Sequence, residues 1–283
     1  MSEPDVSILI VHTFEARLIR QTLRGLRRAA PELHLEVLVI DNNAAAGVAA
    51  MLRREFPEVR YFAKSNQGFG SAMNVGIKHA RGKYILIFNP DIIISAGALE
   101  KLFHYMVANP QVGIVGPKLL NADGSLQYSC SRYHEPLVPV LRRTPLGRLA
   151  WGRKIVERFL MQDVDHSHTL EVDWLMGSAL FARSQALKQV GSFDERFFMY
   201  FEDTDLCWRF WEAGYKVVYF PGAVMVHYHR RASADGSIFR QLLSPLTWRH
   251  IDSAYKFFRK HAGQKNPRES RSLYTSTVSH SSS

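Results

Sequence analysis

The sequence predicts an α/β fold with a mostly parallel central sheet and helices on both faces of that sheet. Over residues 6–116, short continuous apolar runs alternate with longer segments of helical character. A short apolar run is typical of a strand buried on both faces, and strand–helix alternation is the pattern of a parallel sheet. Polar residues follow two of these strands, at the sheet edge where open α/β folds bind ligands.

The elements of the first half follow one another in a regular order. Val6 begins the first apolar run, VSILIV, and Asp41 directly follows the second, LEVLVI. Pro57 and Pro110 end two helices, because the residue before a proline avoids helical backbone angles, and Gly82 is predicted to cap a third. The predicted strands are 6–11, 35–40, 59–62, 84–88 and 112–116, and the predicted helices are 14–29, 46–56, 68–81 and 96–108.

The second half is less regular. Residues 130–170 show no clear period and are rich in Arg and Pro, and the apolar segment 172–182 precedes a helix predicted to end near Val190. From Gly263 the chain is polar and serine-rich, which predicts a disordered tail over 263–283. The remaining predictions are strands at 216–220 and 223–231 and a basic helical extension at 237–262, with Ile251, Ala254, Tyr255 and Phe258 on one face.

Composition excludes several classes of protein. With 46% hydrophobic and 22% charged residues, the 283-residue chain can form a real core and is not globally disordered. Two cysteines, Cys130 and Cys207, exclude a disulfide scaffold and a multi-cysteine zinc module. No apolar run approaches the ~18 residues of a membrane-spanning helix, and the start, MSEPDVSILIV, lacks the basic region of a secretion signal. We therefore expect a cytoplasmic protein.

The net charge of +10 is concentrated in two segments. Residues 132–158 hold seven basic and two acidic residues, and residues 238–262 hold five basic and one acidic. Such clusters attract phosphate groups, whether on nucleic acid, on anionic lipid or on a diphosphate-linked substrate. The sequence contains no recognised nucleic-acid motif, and the acidic cluster at 202–205 suits that role badly, so we do not expect nucleic-acid binding.

Two motifs of the first half suggest a phosphate-bearing ligand. Residues 68–74, GFGSAMN, lack the third glycine of the dinucleotide pattern, which disfavours a dehydrogenase. Glycines there would let the backbone approach a ligand, and the alternative is a simple loop and helix cap. Asp91, in the NPD motif 89–91, follows a strand. A carboxylate at that place can hold Mg²⁺ or Mn²⁺ against a diphosphate, and the alternative is a helix N-cap.

The second half carries an acidic cluster. Glu202, Asp203 and Asp205 open a predicted helix among apolar neighbours. Their mutual repulsion can raise the pKa of one of them, which suits a general base that takes a proton from a hydroxyl. The alternative is that the acids only favour the positive N-terminus of the helix.

Histidine and aromatic residues leave further alternatives open. His227 and His229, followed by Arg230, read either as a metal and phosphate site or as a solvated basic strand end. Trp174 would stack on a sugar ring or fill the core, and Cys207 is predicted to be a core thiol.

Together these motifs resemble glycosyltransferase family 2, the inverting transferases of the GT-A fold, and most of all its rhamnosyltransferase-like group. The resemblance runs from about Val6 to about His229, in the family's order and spacing. Its parts are VSILIV, EVLVIDNNAAAG, NQGFGSAMNVGI, YILIFNPDI, WLMGSALFARSQALKQVGSFDERFFMYFEDTDLCWR and VHYHR. The resemblance implies a GT-A domain over 1–236, with a nucleotide-sugar half at 1–120 and an acceptor half at 121–236.

The resemblance also implies residue roles. Asp203 would be the general base for the acceptor hydroxyl, with Glu202 orienting the acceptor. Asp91 would coordinate Mg²⁺ or Mn²⁺ on the diphosphate, with His227 as a second ligand. The implied donor-binding residues are Asp41, which would recognise the base, and Asn43, Asn66, Gly68, Asn74, Asn89, Asp91 and Arg230, and the implied acceptor-binding residues are Trp174, Met176 and Gly177.

The implied activity is transfer of a sugar, rhamnose from dTDP-rhamnose in its most specific form, to a saccharide hydroxyl in cell-envelope polysaccharide synthesis. The implied acceptor is undecaprenyl-diphosphate-linked, and the implied location is the inner face of the cell membrane, with an anionic membrane surface as partner. Two departures from the family pattern, at 12–15 and at Asn89, motivate an alternative. In that alternative the chain is a non-catalytic nucleotide-sugar-binding relative that acts as an assembly partner.

Overall fold

A computed structural model describes residues 3–13, 16–142, 144–228 and 244–270. In these ranges the chain forms a ten-stranded sheet and a separate two-stranded pair, β8 with β10. The strands are β1 (Val6–His12), β2 (Leu35–Asp41), β3 (Arg60–Ala63), β4 (Tyr84–Phe88), β5 (Ile92–Ile94), β6 (Val112–Leu120), β7 (Leu126–Gln127), β8 (Cys130–Ser131), β9 (Leu170–Glu171), β10 (Trp174–Leu175), β11 (Ala179–Arg183) and β12 (Lys216–His227).

Helices cover both faces of the large sheet. Side chains of α1, α2 and α4 pack on one face, and side chains of α3, α7 and α8 pack on the other. No helix of the described ranges combines the length and the apolar character that crossing a membrane requires. The α-helices are α1 (Ala16–Ala29), α2 (Val48–Glu55), α3 (Phe69–His79), α4 (Ala98–Ala108), α5 (Val138–Leu141), α6 (Ala150–Phe159), α7 (Ser184–Val190), α8 (Glu202–Glu212) and α9 (Pro245–Lys260).

The large sheet is mostly parallel, as predicted. Its order is β3-β2-β1-β4-β11-β6-β12-β5, with β7 beside β6 and β9 beside β12. Strands β1, β2, β3, β4, β6 and β12 run in one direction, whereas β11 runs against both β4 and β6. Because β11 comes from the second half of the sequence, the two predicted halves share one sheet.

The first strand shows why these apolar runs fold as they do. Val6, Ile8 and Ile10 pack with the helices of one face, and Leu9 and Val11 pack with those of the other. Successive side chains of a strand point to opposite faces, so a strand covered on both sides has to be apolar throughout.

One predicted helix end is wrong. Helix α3 ends at His79, and Ala80 caps it. The sequence predicts a helix over 68–81 with Gly82 as the cap. Gly82 instead lies against β1, where an added Cβ would be 2.5 Å from the backbone nitrogen of Ser7. The glycine therefore allows a close approach of two backbone segments. From the sequence alone, a glycine in this role cannot be told from a glycine that caps a helix.

The two strands predicted near residues 216–231 form a single strand, β12. Its pairing with β6 shifts register between Phe220 and Val224. Pro221 and Gly222, the two residues between the predicted strands, lie within this shift. The strand ends at His227. Arg230, a predicted phosphate contact, lies outside the described residues.

The predicted C-terminal extension is part of the packed structure. Phe257 of α9 lies in a cluster with Phe197, Phe201 and Trp208. Of the apolar face predicted for this helix, Ala254 and Phe258 pack on that cluster, whereas Ile251 and Tyr255 are exposed.

Residues 263–270, which the sequence assigned to a disordered tail, make contacts with the rest of the fold. Arg268 donates to the Asp173 carboxylate at 2.9 Å, and residues 267–270 form a helical turn. Residues 271–283 lie outside the described ranges. The segment 130–170, for which no period was found, contains α5 and α6.

Candidate active site

Asp41 lies at the carboxyl end of β2, where the sequence predicts the donor nucleotide. Its carboxylate is buried and accepts hydrogen bonds from His12 Nδ1 at 2.7 Å, Tyr61 Oη at 2.8 Å and the Asn43 backbone N–H at 2.8 Å. Burial and the hydrogen bond to Asp41 raise the pKa of Tyr61 to about 12. Three hydrogen bonds from the chain thus fix the position of the carboxylate that is predicted to recognise the base.

His12 is a hydrogen-bond partner of Asp41 that the sequence motifs did not predict. It is buried at the end of β1, and its Nε2 makes no hydrogen bond within the described residues. The departure from the family pattern at this position therefore places an imidazole against Asp41.

Asn66 and Gly68 shape the loop before α3. Asn66 Oδ1 accepts a hydrogen bond from the Gly68 N–H at 3.1 Å. Gly68 has φ +106°, and a Cβ there would lie 2.2 Å from the carbonyl oxygen of Phe198. That same oxygen accepts a hydrogen bond from the Phe69 N–H at 3.1 Å. The glycine permits close approach of another backbone, which is a reason for Gly68 that does not involve a ligand.

Asn74 joins α3 to residues 193–201, which we call the 193–201 loop. Its amide donates to the Phe193 carbonyl and to Glu195 Oε1, both at 2.9 Å, and accepts from the Phe193 N–H at 2.9 Å. The structure gives this amide protein partners, and its predicted contact with the donor stays a prediction.

Asp91 and His227 come together, as the predicted metal pair requires. Asp91 Oδ1 lies 3.4 Å from His227 Nε2. His227 Nδ1 is 2.8 Å from Gln127 Oε1, and because an amide oxygen can only accept, Nδ1 is the donor. In the neutral ring, Nε2 therefore carries the lone pair and lies next to a carboxylate oxygen. A cation bound here would be held by both Nε2 and that oxygen.

The donor atoms of this pair fit Mg²⁺ or Mn²⁺. A carboxylate oxygen and an imidazole nitrogen are ligands that Mn²⁺ accepts, and Mg²⁺ in phosphate-transfer sites is commonly held by one or two carboxylates plus substrate phosphates. The described residues contain no group of three or more His, Cys, Asp or Glu placed to hold a metal. A metal at Asp91 and His227 would have coordination positions left for diphosphate oxygens and water.

A short hydrogen-bonded path connects the NPD motif to the acidic helix. The Asn89 N–H donates to the Ser178 carbonyl at 2.9 Å, and the Gly177 N–H donates to Asp203 Oδ2 at 2.8 Å. Residues 177 and 178 thus bridge the strand end that leads to Asp91 and the predicted base. Gly177, predicted to contact the acceptor, positions Asp203 directly.

The first turn of α8 presents two carboxylates with raised pKa values. Burial raises the pKa of Asp203, and hydrogen bonds from Gly177 and Thr204 lower it only in part. Burial and the neighbouring charge of Asp203 hold the pKa of Glu202 well above its usual range. Asp203 is partly exposed and Glu202 is buried, so Asp203 is the one that a substrate can reach.

Asp205, the third acid of the cluster, has a different environment. Its carboxylate is within 2.8 Å of Arg209 Nε, 2.6 Å of Lys260 Nζ and 2.9 Å of His261 Nε2. Burial alone would raise its pKa, but the hydrogen bond from His261 and the charges of Arg209 and Lys260 lower it overall. Asp205 therefore stays charged and holds the end of α9 against α8.

Trp174 and Met176, the residues predicted to bind the acceptor, lie on the strand pair and loop beside the acidic helix. Trp174 is largely buried, and its Nε1 donates to the Arg132 carbonyl at 2.8 Å. The Met176 N–H donates to the Ser129 carbonyl at 2.8 Å. These bonds fix the loop whose next residue holds Asp203.

A set of rings that the motifs did not predict surrounds His134. The ring of His134 lies 4.6 Å from Phe159, 5.4 Å from Trp174 and 4.4 Å from Phe201. Burial lowers the pKa of His134 well below its usual range, and the charge of Arg142 lowers it further. Because Phe201 directly precedes Glu202, this neutral, aromatic wall borders the carboxylates.

Family models account for nearly the whole described chain. The model described as Glycosyl transferase family 2 matches residues 7–156, just over half of the chain, and Glycosyl transferase family group 2 matches residues 155–262. The chain belongs to glycosyl transferase family 2. The predictions of this family and of a glycosyltransferase are confirmed.

Relatives of this family 2 glycosyltransferase include two rhamnosyltransferases. It is 31% identical over 211 residues to the N-acetylglucosaminyl-diphospho-decaprenol L-rhamnosyltransferase of Mycobacterium tuberculosis, covering 70% of this chain and 68% of the relative. It is 26% identical over 262 residues to rhamnosyltransferase WbbL of Escherichia coli K12, covering 89% of this chain and 92% of the relative. The rhamnosyltransferase-like resemblance is thereby confirmed.

Solved structures show the same fold. GalNAc-T7 with UDP, GalNAc and Mn²⁺ aligns with TM-score 0.62 and 13% identity, over 90% of this family 2 chain and 48% of its own, so this chain spans about half of that one. Mannosyltransferase PcManGT from Pyrobaculum calidifontis, in complex with GDP-Man and Mn²⁺, aligns with TM-score 0.55 and 18% identity, over 98% of this chain and 81% of its own. The predicted GT-A fold is confirmed.

Proposed function

We propose that this glycosyltransferase inverts the anomeric carbon while it moves a sugar from a nucleotide-sugar donor to a hydroxyl of a lipid-linked saccharide. The observation that carries the proposal is the bridge by residues 177 and 178 between the Asp91 strand end and Asp203. The named activities of the two rhamnosyltransferase relatives favour rhamnose, with dTDP-rhamnose as donor. The diphospho-decaprenol in one name favours an acceptor on a polyprenyl diphosphate, such as undecaprenyl diphosphate.

Asp203 is the proposed general base. It accepts the proton of the acceptor hydroxyl while the hydroxyl oxygen bonds to the anomeric carbon and the bond from that carbon to the diphosphate oxygen breaks. A base is most effective when its pKa lies near the working pH, and burial moves the pKa of Asp203 in that direction. One displacement inverts the carbon and needs no covalent enzyme intermediate.

Glu202 and the Gly177 amide prepare that base. The raised pKa of Glu202 favours its neutral form, which limits the repulsion that a second charge would impose on Asp203. The Gly177 N–H holds Asp203 Oδ2 in place, so the proton acceptor is oriented before the substrate arrives.

Asp91 and His227 are the proposed holders of Mg²⁺ or Mn²⁺. When bound, such a cation supplies positive charge that stabilises the departing nucleoside diphosphate. Asn43, Asn66, Asn89 and the other predicted donor contacts belong to the same proposal. We further propose a cytoplasmic location at the inner face of the cell membrane, where a polyprenyl-diphosphate acceptor and an anionic lipid surface are both present.

A panel of nucleotide sugars tests the proposal. Release of nucleoside diphosphate is measured with Mg²⁺, with Mn²⁺ and with EDTA, and transfer is measured with a synthetic polyprenyl-diphosphate saccharide. We expect one donor to be turned over, EDTA to abolish turnover, and Asp203→Asn to reduce transfer by about 10²–10⁴-fold, the usual contribution of a general base. Asp123→Asn, at an exposed turn, is the matched control and keeps the wild-type rate.

Three outcomes would overturn the proposal. Asp203→Asn with undiminished transfer would exclude the assigned base. A wild-type chain that binds a donor by calorimetry but turns over none would favour the non-catalytic, nucleotide-sugar-binding alternative. A wild-type chain that neither turns over nor binds any donor would reject both.

A further inference from the structure

Large apolar side chains are exposed mainly in two places. Of eleven that the described residues expose, eight lie either between residues 137 and 151 or on α9. The first group is Leu137, Val140, Leu146, Leu149 and Trp151, and the second is Trp248, Ile251 and Tyr255. Such clustering is unusual for a monomer surface and marks an interaction site.

Basic side chains accompany both groups. Arg142, Arg148, Arg153 and Lys154 are exposed in and just after the first segment. Exposed acids are fewer, and Glu157 next to this segment pairs with Arg153 at 3.4 Å.

Helix α9 shows the same combination. Arg249 and Arg259 are exposed on it, whereas its exposed acid, Asp252, pairs with Lys256 at 2.6 Å. Apolar side chains with a surplus of arginine and lysine are the composition of a segment that lies at a lipid headgroup boundary.

The two segments border the same site. Arg142 lies over the ring of Phe159 at 5.4 Å, and Phe159 is 4.6 Å from His134. His134 is 4.4 Å from Phe201, and Phe201 is 5.3 Å from His250 of α9. This continuous row of rings joins the segments beside the carboxylates that follow Phe201.

We propose that residues 137–154 and the exposed side of α9 form one docking surface for an anionic lipid bilayer, with the acceptor site opening between its two parts. The apolar side chains would enter the headgroup region while the arginines bind lipid phosphates. A polyprenyl diphosphate carries its sugar at headgroup depth, so a docked surface would bring the acceptor site to that sugar. This part of the proposal rests on the proposed function. The docking itself does not depend on that function.

Charge complementarity favours a bilayer over another occupant. The segment 137–154 holds five basic and no acidic residues, and α9 holds four basic residues and one acidic residue, which suits a surface of lipid phosphates more than a second copy of the same basic chain. Self-association through the surface is therefore an outcome against the proposal.

Vesicle sedimentation of the full chain tests the surface. Phosphatidylcholine vesicles are compared with vesicles that also contain phosphatidylglycerol, at low and high salt. We expect binding only to the anionic vesicles, weakened by salt. We also expect a loss of about tenfold or more in partitioning for Ile251→Ser/Tyr255→Ser and for Leu149→Ser/Trp151→Ser.

The matched control is Val107→Ser, because Val107 is also exposed but lies on α4, away from both segments. It should bind vesicles like the wild type. Melting curves of all variants confirm that each is folded, and a blue shift of tryptophan fluorescence on binding anionic vesicles supports insertion.

Three outcomes would overturn the docking proposal: no binding of the wild type to anionic vesicles, equal losses in the control and surface variants, or a surface that mediates only self-association in sedimentation velocity. Donor turnover without vesicles separates this proposal from the proposed function. If turnover is present and vesicle binding absent, only the docking proposal fails. If vesicles bind and no donor is turned over or bound, only the proposed function fails.

Discussion

Asp203 and Asp205 lie on the same helix, two residues apart, and we expect the same substitution to reduce stability at Asp205 and activity at Asp203. Asp205→Asn should destabilise the fold. The carboxylate is fully buried, and two cationic side chains, Arg209 and Lys260, and the ring of His261 lie within 2.9 Å of it. Removing one partner of a buried ion pair leaves the others with uncompensated charge.

The structure sets the size of this effect. Breaking a buried pair costs about 3–5 kcal/mol. Lys260 is 22% exposed and Arg209 16% exposed, so water can reach part of their charge. We therefore take the lower end, about 3 kcal/mol, which corresponds to a fall in melting temperature of about 6–12 °C for a domain of this size class.

Asp203→Asn should leave the fold almost unchanged. The described residues place no cationic side chain on this carboxylate, which accepts hydrogen bonds from the Gly177 and Thr204 N–H groups and from the Thr204 hydroxyl. The amide loses one acceptor but also removes a charge beside Glu202, and these effects offset each other to within about 1 kcal/mol.

Thermal unfolding and transfer assays on the two variants check this reasoning. Asp205→Asn should lower the melting temperature, and Asp203→Asn should lower the rate without lowering the melting temperature. Asp252→Asn is the control for the loss of a surface pair with Lys256, worth about 0.5 kcal/mol or less. Equal melting temperatures for Asp205→Asn and the wild type would refute the assignment of Asp205 as the anchor of α9.

The pH dependence of stability gives a second check on Asp205. Its pKa is lowered in the folded protein, so the folded state favours the charged form. The stabilisation is complete above the unfolded pKa and is lost as pH falls through the lower folded value. The difference in unfolding free energy between wild type and Asp205→Asn should thus be largest near neutral pH and shrink in acid.

The remaining predictions concern the reaction and the donor loop. Because Asp203 must be deprotonated to act and its pKa is raised, transfer should fall with decreasing pH at a higher pH than an ordinary aspartate would give; a rate unchanged down to pH ~4 would contradict this. Asp91→Asn should raise the Mn²⁺ concentration needed for half-maximal donor turnover by about tenfold or more, and an unchanged metal titration would exclude Asp91 as a ligand. Gly68→Ala should weaken donor binding and lower the melting temperature, since its methyl would clash with the Phe198 carbonyl oxygen. The control Gly25→Ala, in open space on helix α1, should leave donor binding unchanged and should not lower the melting temperature, because alanine favours a helix more than glycine does.

The sequence was sufficient to predict the parts of this fold that depend on local pattern. Buried strands are apolar on both faces, so β1, β2 and β4 stand out, and their ends place Asp41 and Asp91 at the expected edge. The pairing of Asp91 with His227 confirms that two distant motifs meet. These successes share one cause, since periodicity and strand ends are properties of neighbouring residues.

The parts that were not predicted depend on contacts distant in sequence. Nothing within the acidic cluster shows that Asp205 meets His261 while Asp203 does not, because the distinction comes from α9. The antiparallel insertion of β11 beside β4 is also a tertiary choice that an apolar run does not encode. The family resemblance predicts a donor contact for Asn74, and nothing in the neighbouring sequence shows that its amide also bonds to the 193–201 loop.

The 193–201 loop connects helix α9 to the residues around Phe69, where the sequence predicts the donor site. The Phe198 carbonyl of the loop accepts a hydrogen bond from the Phe69 N–H. The carbonyl of the next residue, Met199, accepts one from the Ser253 hydroxyl of α9 at 2.8 Å. A donor that orders the residues around Phe69 orders this loop as well. Since coupling free energies are reciprocal, any change in how α9 holds the loop alters donor affinity by the same factor by which the donor alters the seating of α9.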